Sequence, residues 1–201
     1  MLSAVVLAAG SSSRMGTDNK LLLPFKNKYA IAVIVETIIE AGIKDIIVVT
    51  GYEAGHIKDA LKNYQVVFTH NLRYAEGMTS SIQQGVIAAK GNGFMICLSD
   101  MVMITAADYK LLENAFQEKI LFDSQCIIMP RYNNKHGNPV IFSGFYKKMI
   151  LQNLQPEGCK NIVQSNIEHL YMIDMDTPHV LQDFDYPDDY KKLFQNHGLI
   201  F

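Results

Sequence analysis

Short apolar runs, each about one strand long and each followed by a stretch of helical periodicity, recur through the first half of this 201-residue chain. Ala4-Val5-Val6-Leu7, Asp45 to Thr50, Val66 to Thr69 and Phe94 to Leu98 are continuous in their hydrophobicity, the pattern of strands buried on both faces in a parallel sheet. Between them, Ala30 to Ala41, Glu53 to Asn63 and Met78 to Lys90 read as helices, the first and last stopped by Gly42 and Gly91. Such alternation predicts βαβ units with right-handed crossovers. The second half is less regular. It offers helices at Ala106 to Gln117, Gly144 to Gln152, Cys159 to Asn166 and Pro187 to Asn196, and strands at Gln125 to Met129, Val140 to Phe142 and His169 to Ile173. The expected fold is a Rossmann-like three-layer α/β/α arrangement with a mostly parallel sheet, formed by one domain over residues 1–201.

Composition narrows the function classes. A net charge of −2 supplies no basic field for nucleic acid, so a polyanion has to be held locally by a few placed cations and backbone amides. Cys97, Cys126 and Cys159 lie far apart with no CxxC pair, which fits buried thiols in a reducing compartment. No run approaches the roughly 18 apolar residues of a membrane span, and the opening residues are strand-like without a basic leader. The expectation is a cytoplasmic protein with neither membrane nor nucleic-acid partners. The six histidines lack the i, i+4 pairing of a helical zinc site.

In open α/β sheets, ligands lie beyond the carboxyl ends of the strands. The segments that leave the predicted strands there are Gly10 to Gly16, Thr50-Gly51-Tyr52, Asn71 to Met78 and Ser99-Asp100, and they are expected along one edge. The first is rich in glycine and serine and carries Arg14, with Lys20 following. Small side chains let amide groups approach an anion closely, and the two cations suit phosphate. It is neither a P-loop, because five residues separate Gly10 from Gly16, nor a dinucleotide fingerprint, because Ser12 stands at the second glycine position. On residues alone, a solvated polar loop fits equally well.

Other residues carry the same double reading. Asp100, straight after a very apolar strand, is either a turn residue or a hard oxygen ligand for Mg²⁺. Thr79, Ser80 and Ser81 at a helix start either cap it or help it hold an anion. Arg131 to Phe142 is either a polar hairpin or a substrate loop. Two acidic stretches, Asp174-Met175-Asp176 and Asp183-Phe184-Asp185, read chiefly as solvated or capping, with Asp185 a candidate near a metal and Pro187 opening the last helix.

Several motifs share one resemblance. Leu7-Ala8-Ala9-Gly10-x-Ser12-x-Arg14-Met15-Gly16, followed by Lys20-Leu21-Leu22-Leu23-Pro24, resembles the signature loop of the nucleotidyltransferases that handle molybdenum cofactor. It is most similar to the molybdenum cofactor cytidylyltransferases, whose loop reads Ala-Ala-Gly where guanylyltransferase relatives carry Ala-Gly-Gly. Leu98-Ser99-Asp100-Met101 resembles Leu-x-Asp-Met-Pro, with Val102 in place of the proline. Gly77-Met78-x-x-Ser81, with Asn71 shortly before, resembles Gly-Met-x-x-Ser. Gly137-Asn138-Pro139-Val140-Ile141-Phe142 resembles Gly-His-Pro-Val-x-Phe, with Asn138 for the histidine. The stretch from Asp183 resembles a closing Asp-x-Asp-Thr-Pro-x-Asp. Gln155-Pro156-Glu157-Gly158-Cys159-Lys160 departs from the family's Gly-Asp-x-Gly-Ala-Arg, and Glu157 is the available substitute for its carboxylate.

The resemblance implies a fold of the nucleotide-diphospho-sugar transferase type and transfer of CMP from CTP to molybdopterin or molybdenum cofactor, with release of pyrophosphate. It implies catalytic roles for Arg14, Lys20 and Asp100. The implied nucleotide site comprises Ala8, Ala9, Gly10, Ser11, Ser12, Ser13, Arg14, Lys20, Thr50, Gly51, Asn71, Gly77, Met78, Ser80, Ser81 and Ser99. Mg²⁺, or Mn²⁺ in its place, is expected on Asp100 with Glu157. His136, Gly137, Asn138 and Pro139 are expected to face the acceptor, and a molybdoenzyme is the expected receiver of the product. Readings from other classes stay open: a GTP-dependent or sugar-phosphate nucleotidyltransferase, or a non-catalytic nucleotide- or cofactor-binding module of the same fold.

Overall fold

The computed structural model describes residues 1–16, 18–25 and 27–196, with side chains as far as 192. In chain order the elements are β1 (Leu2–Ala8), a small hairpin of β2 (Pro24–Phe25) and β3 (Lys28–Tyr29), α1 (Ala30–Glu40), β4 (Asp45–Thr50), α2 (Ala54–Ala60), β5 (Val67–His70) and α3 (Met78–Ala88). There follow β6 (Gly93–Leu98), α4 (Ala106–Lys119), β7 (Ile127–Tyr132), β8 (Lys135–His136), β9 (Val140–Ser143), α5 (Lys147–Gln152), α6 (Lys160–Gln164), β10 (Leu170–Asp174) and α7 (Pro187–Asn196).

The main sheet runs β10-β7-β9-β6-β1-β4-β5, with β8 paired to β7. All pairings along this path are parallel except those of β9, which lies antiparallel to both β6 and β7. The sheet is therefore mostly parallel, as its continuous apolar strands require. In the central strands, successive side chains enter opposite layers. Ala4 and Val6 of β1, Ile46 and Val48 of β4, and Met95 and Cys97 of β6 join the core beneath α1 and α4. Val5, Ile47, Val49, Phe94 and Ile96 join the core beneath α3 and α5. Each Val, Ile, Phe or Met side chain so buried stabilises the fold by about 1.5–3 kcal/mol relative to exposure.

The start of α4 follows its cap. Thr105 accepts from the Asp108 amide at 3.2 Å while Asp108 accepts from the Thr105 amide at 2.8 Å, a reciprocal box that opens α4 where the sequence places it. The helix expected at Gly144 begins instead as a 3₁₀ turn over Gly144–Tyr146, and that expected at Cys159 to Asn166 is trimmed to α6. The hairpin β2–β3 was not expected, whereas β8 pairs with β7 within the segment Arg131 to Phe142 that reads as a polar hairpin. Two-residue strands carry too few side chains to show a period. Among the described residues no helix is long and apolar enough to cross a membrane.

Candidate active site

Strands β1, β4, β5 and β6 run in one direction, so the loops after them gather along one edge. There a cavity of about 510 Å³ opens between the loop after β1, the turn after β6 and the start of α3. Ala9, Gly10, Ser11, Ser12, Ser13, Arg14 and Lys20 line one side, and Ser99, Asp100, Gly77, Met78 and Ser81 the other.

The first loop is held by its own side chains. Ser12 has a left-handed backbone, φ 51°, which turns its hydroxyl inward to accept the Lys20 amide at 3.2 Å. Asn19 accepts from the Leu21 amide at 3.1 Å and donates to Glu53 at 3.0 Å, which starts the short turn carrying Lys20. Met15 and Leu21, both buried, pin the loop to the core. Across the cavity, the Ser99 hydroxyl donates to the Leu7 carbonyl at 2.5 Å and so ties the end of β6 to β1.

The cavity floor is a charge cluster. Lys20 Nζ lies 2.5 Å from Asp100 Oδ2 and 2.5 Å from Asp185 Oδ1, and Arg14 also pairs with Asp185. The Arg14 guanidinium stands 5.9 Å from the centre of the Tyr186 ring. Burial pulls the Lys20 ammonium toward neutrality, but the charges of Asp100 and Asp185 together outweigh it, and its pKa is raised. Asp185 resists protonation: burial raises its carboxyl, and the Lys20 and Arg14 contacts more than reverse that. Asp183 shifts upward, through burial first and then through the charges of Asp100 and Asp185.

Asp100 does not cap a helix. One oxygen goes to Lys20, and Oδ1 is buried without a hydrogen-bond partner among the described residues. A buried, unpartnered carboxylate oxygen on a residue that lines the cavity suits a hard divalent cation. No group of three or more His, Cys, Asp or Glu is arranged around a metal position among the described residues.

Several expected site residues lie behind the wall rather than in it. Thr50 is buried and its hydroxyl donates to the Thr69 carbonyl at 3.3 Å. Gly51 supports the loop: a Cβ there would lie 2.8 Å from the Ala9 carbonyl and 2.7 Å from Tyr74 Cβ. Ala8 belongs to the core, and the Ala9 carbonyl accepts the Tyr52 amide at 3.1 Å. Asn71 donates to Ser80 at 2.8 Å and to Ser81 at 3.0 Å, and of these three only Ser81 reaches the cavity. The sequence reading passed over Tyr74 and Ala75, which line it, although both fall in the loop after β5 that topology sends to this edge. Asp185 was named only as an outlying metal candidate. Its place between Lys20 and Arg14 depends on the route of the chain after β10, which no local pattern encodes.

A second cavity, about 710 Å³, adjoins the first, with Met78 and Leu98 in both walls. His136, Gly137 and Asn138 line it, and Pro139 does not. Glu157 faces this second cavity with Cys159 and Lys160, so the structure does not bring it into the cavity of Asp100. The reason is the start of α3. Gly77, at φ +112°, would drive a Cβ to 2.7 Å from the Pro156 carbonyl. Thr79 donates to the Gln155 carbonyl and accepts the Gly158 amide at 2.9 Å, fixing the 155–158 turn beside the helix. The other acidic stretch lies elsewhere, with Asp174 paired to Arg131 at 2.5 Å where β10 meets β7.

Comparison with known proteins identifies the architecture. Residues 4–170 match the family model of the MobA-like NTP transferase domain. The chain belongs to this family. Among relatives of this MobA-like transferase, the molybdenum cofactor cytidylyltransferase of Escherichia coli is 26% identical over 94% of the chain and 93% of its own length. A nucleotidyl transferase from Methanothermobacter thermautotrophicus superposes with a TM-score of 0.85 at 23% identity, over 98% of this chain and 97% of its own. Rv0371c of Mycobacterium tuberculosis, in complex with manganese, superposes with a TM-score of 0.74 at 22% identity, over 96% and 98% of the two chains. The protein is a nucleotidyltransferase of the MobA-like family and shares the fold of the Methanothermobacter nucleotidyl transferase.

Proposed function

We propose that this transferase moves CMP from CTP to a molybdopterin-type acceptor and releases pyrophosphate. The observation that carries the reading is the meeting, in one cavity, of the glycine-serine loop, Lys20 and Asp100. The full-length relationship to a molybdenum cofactor cytidylyltransferase supports the choice of nucleotide and acceptor.

In this reading a phosphate oxygen of the acceptor attacks the α-phosphorus of CTP in line. The bond from that phosphorus to the bridging oxygen breaks, and pyrophosphate leaves with the bonding pair. Little covalent chemistry falls to the protein, whose task is alignment and charge neutralisation. The amides of Gly10 to Ser13 cradle phosphate oxygens, Arg14 meets the departing phosphates, and Lys20 faces the charge that builds at the α-phosphate. The second cavity, with Gly137 and Asn138 in its wall, receives the acceptor. Asp100 would hold Mg²⁺, which when bound would supply Lewis-acid neutralisation of phosphoryl oxygens. Three free, buried thiols suit a reducing, cytoplasmic setting, and a molybdoenzyme is the proposed recipient of the product.

One observation favours a second reading, a nucleotide-binding module without turnover: Glu157 faces the second cavity, leaving Asp100 without it. The deciding experiment measures pyrophosphate release with molybdopterin and Mg²⁺ in the presence of CTP or GTP. Release with CTP well above that with GTP is expected. Release with GTP alone would replace the base assignment, and binding of nucleotide without release would favour the module.

A further inference from the structure

The two cavities differ in how their polar side chains are engaged. Around the first, Lys20, Arg14, Asp100 and Asp185 are paired with one another. In the wall of the second, the side chains of His136, Asn138, Glu157, Lys160 and Gln164 have neither a hydrogen bond nor an ion pair among the described residues. Beneath that polar rim the floor is apolar, with Ile82, Ile96, Met129 and Phe142 all buried. Among the described residues, Glu157 is the one carboxylate in this wall, and its backbone is fixed from both sides. The Pro156 carbonyl accepts the Thr79 amide at 3.4 Å, the Gly158 amide donates to the Thr79 hydroxyl at 2.9 Å, and the Gly158 carbonyl accepts from Asn153 at 2.8 Å. Gly158, at φ +86°, lets the turn close against Met78, whose sulfur would stand 3.2 Å from a Cβ there. Glu157 thus offers two acceptor oxygens from a backbone that is already ordered, which lowers the cost of using them.

We propose that Glu157 selects the acceptor: its carboxylate takes two adjacent N–H donors on the edge of a flat heterocycle whose face lies over Ile96, Met129 and Phe142. The proposal rests on the reading of the second cavity as the acceptor site. The chemistry of the wall favours this class of molecule. A hydroxyl-rich acceptor would press polar groups against Ile82, Ile96 and Phe142 with no partner for them, whereas the face of a ring covers such a floor without that loss. An ionised carboxylate only accepts hydrogen bonds, so it favours an amidine-like pair of N–H groups and repels a carbonyl in the same place. Met78 and Leu98 belong to both walls, so an acceptor seated here has a direct way into the first cavity.

The test is a fluorescence titration of the full chain with two pteridines at neutral pH, without nucleotide or metal. 2-Amino-4-oxopteridine offers an amino group beside a ring N–H, and 2,4-dioxopteridine puts a carbonyl in place of the amino group. The parent protein is expected to bind the amino compound about tenfold more tightly. Glu157→Gln, whose amide brings one donor and one acceptor, is expected to reverse that order, and Glu157→Ala to bind the two compounds about equally. Glu157 is exposed and outside the packed core, so both variants should melt at the parental temperature. Equal parental affinity for the two compounds, or a parental preference kept undiminished in either variant, would overturn the role of Glu157 and leave the cavity as an acceptor site. No binding of either compound to the parent protein would overturn the acceptor reading, and the proposal with it.

Discussion

Lys20 is held between two carboxylates at equal distance, and its surroundings keep it charged although it is largely buried. Lys20→Ala or Asp100→Ala is expected to lower nucleotidyl transfer by about 10²–10³, the range typical for loss of an electrostatic stabiliser. The thermal transition should stay cooperative, since neither side chain belongs to the packed core; near-parental turnover in either variant would remove its assigned role. Asp185 gives a pH prediction. Its folded carboxyl has a lowered pKa, so its contribution to stability is present above the ordinary carboxylate value and is lost as pH falls through the folded value. The gap in melting temperature between the parent protein and Asp185→Asn should therefore be widest near neutrality and close in acid. A gap that does not vary with pH would mean that the two cations do not act on this carboxylate. Asp183 works in the opposite sense, because its raised pKa favours the folded state on protonation.

At the scale of the element, the start of α3 separates three adjacent hydroxyl residues into different tasks. Thr79 holds the 155–158 turn, Ser80 donates within the turn that precedes the helix, and Ser81 alone reaches the first cavity. Thr79→Val should cost about 1–3 kcal/mol, because the buried Gly158 amide loses its acceptor. A shifted denaturation midpoint with an unchanged slope is the expected measurement. The sequence shows a polar run at a helix start, and its chemistry suits an anion equally well. What decides between the readings is a turn far downstream in the chain, which local spacing cannot reveal. The same holds for Glu157, whose charge was legible and whose direction was not. By contrast, β4 and α7 fall at the residues their apolar run and their Pro187 start mark out, because both signals are local.

Over the whole molecule, the fold class was legible, and with it the edge on which the candidate site is proposed. Parallel strands force their following loops to one edge, so a reading of β1, β4, β5 and β6 already brings Gly10, Asn71 and Asp100 into one neighbourhood. The thiols are a second property of the whole. Cys97, Cys126 and Cys159 are all free and buried, and burial raises each of them, Cys126 to about 11 and Cys159 to about 12. A disulfide-exchange reagent near pH 8 should find them unreactive in the native protein and titrate all three after denaturation. Prompt stoichiometric labelling of the native chain would contradict this packing. One reversed strand has the widest reach. Because β9 runs against its neighbours, Val140 pairs with Ile96 near the carboxyl end of β6, and the hairpin before it arrives at the edge where the other strands deliver their loops. Residues 133–136, at the tip of that hairpin, can thus change while the opening loop keeps its place, so on the proposed reading one scaffold can exchange its acceptor without rebuilding the end that holds the nucleotide.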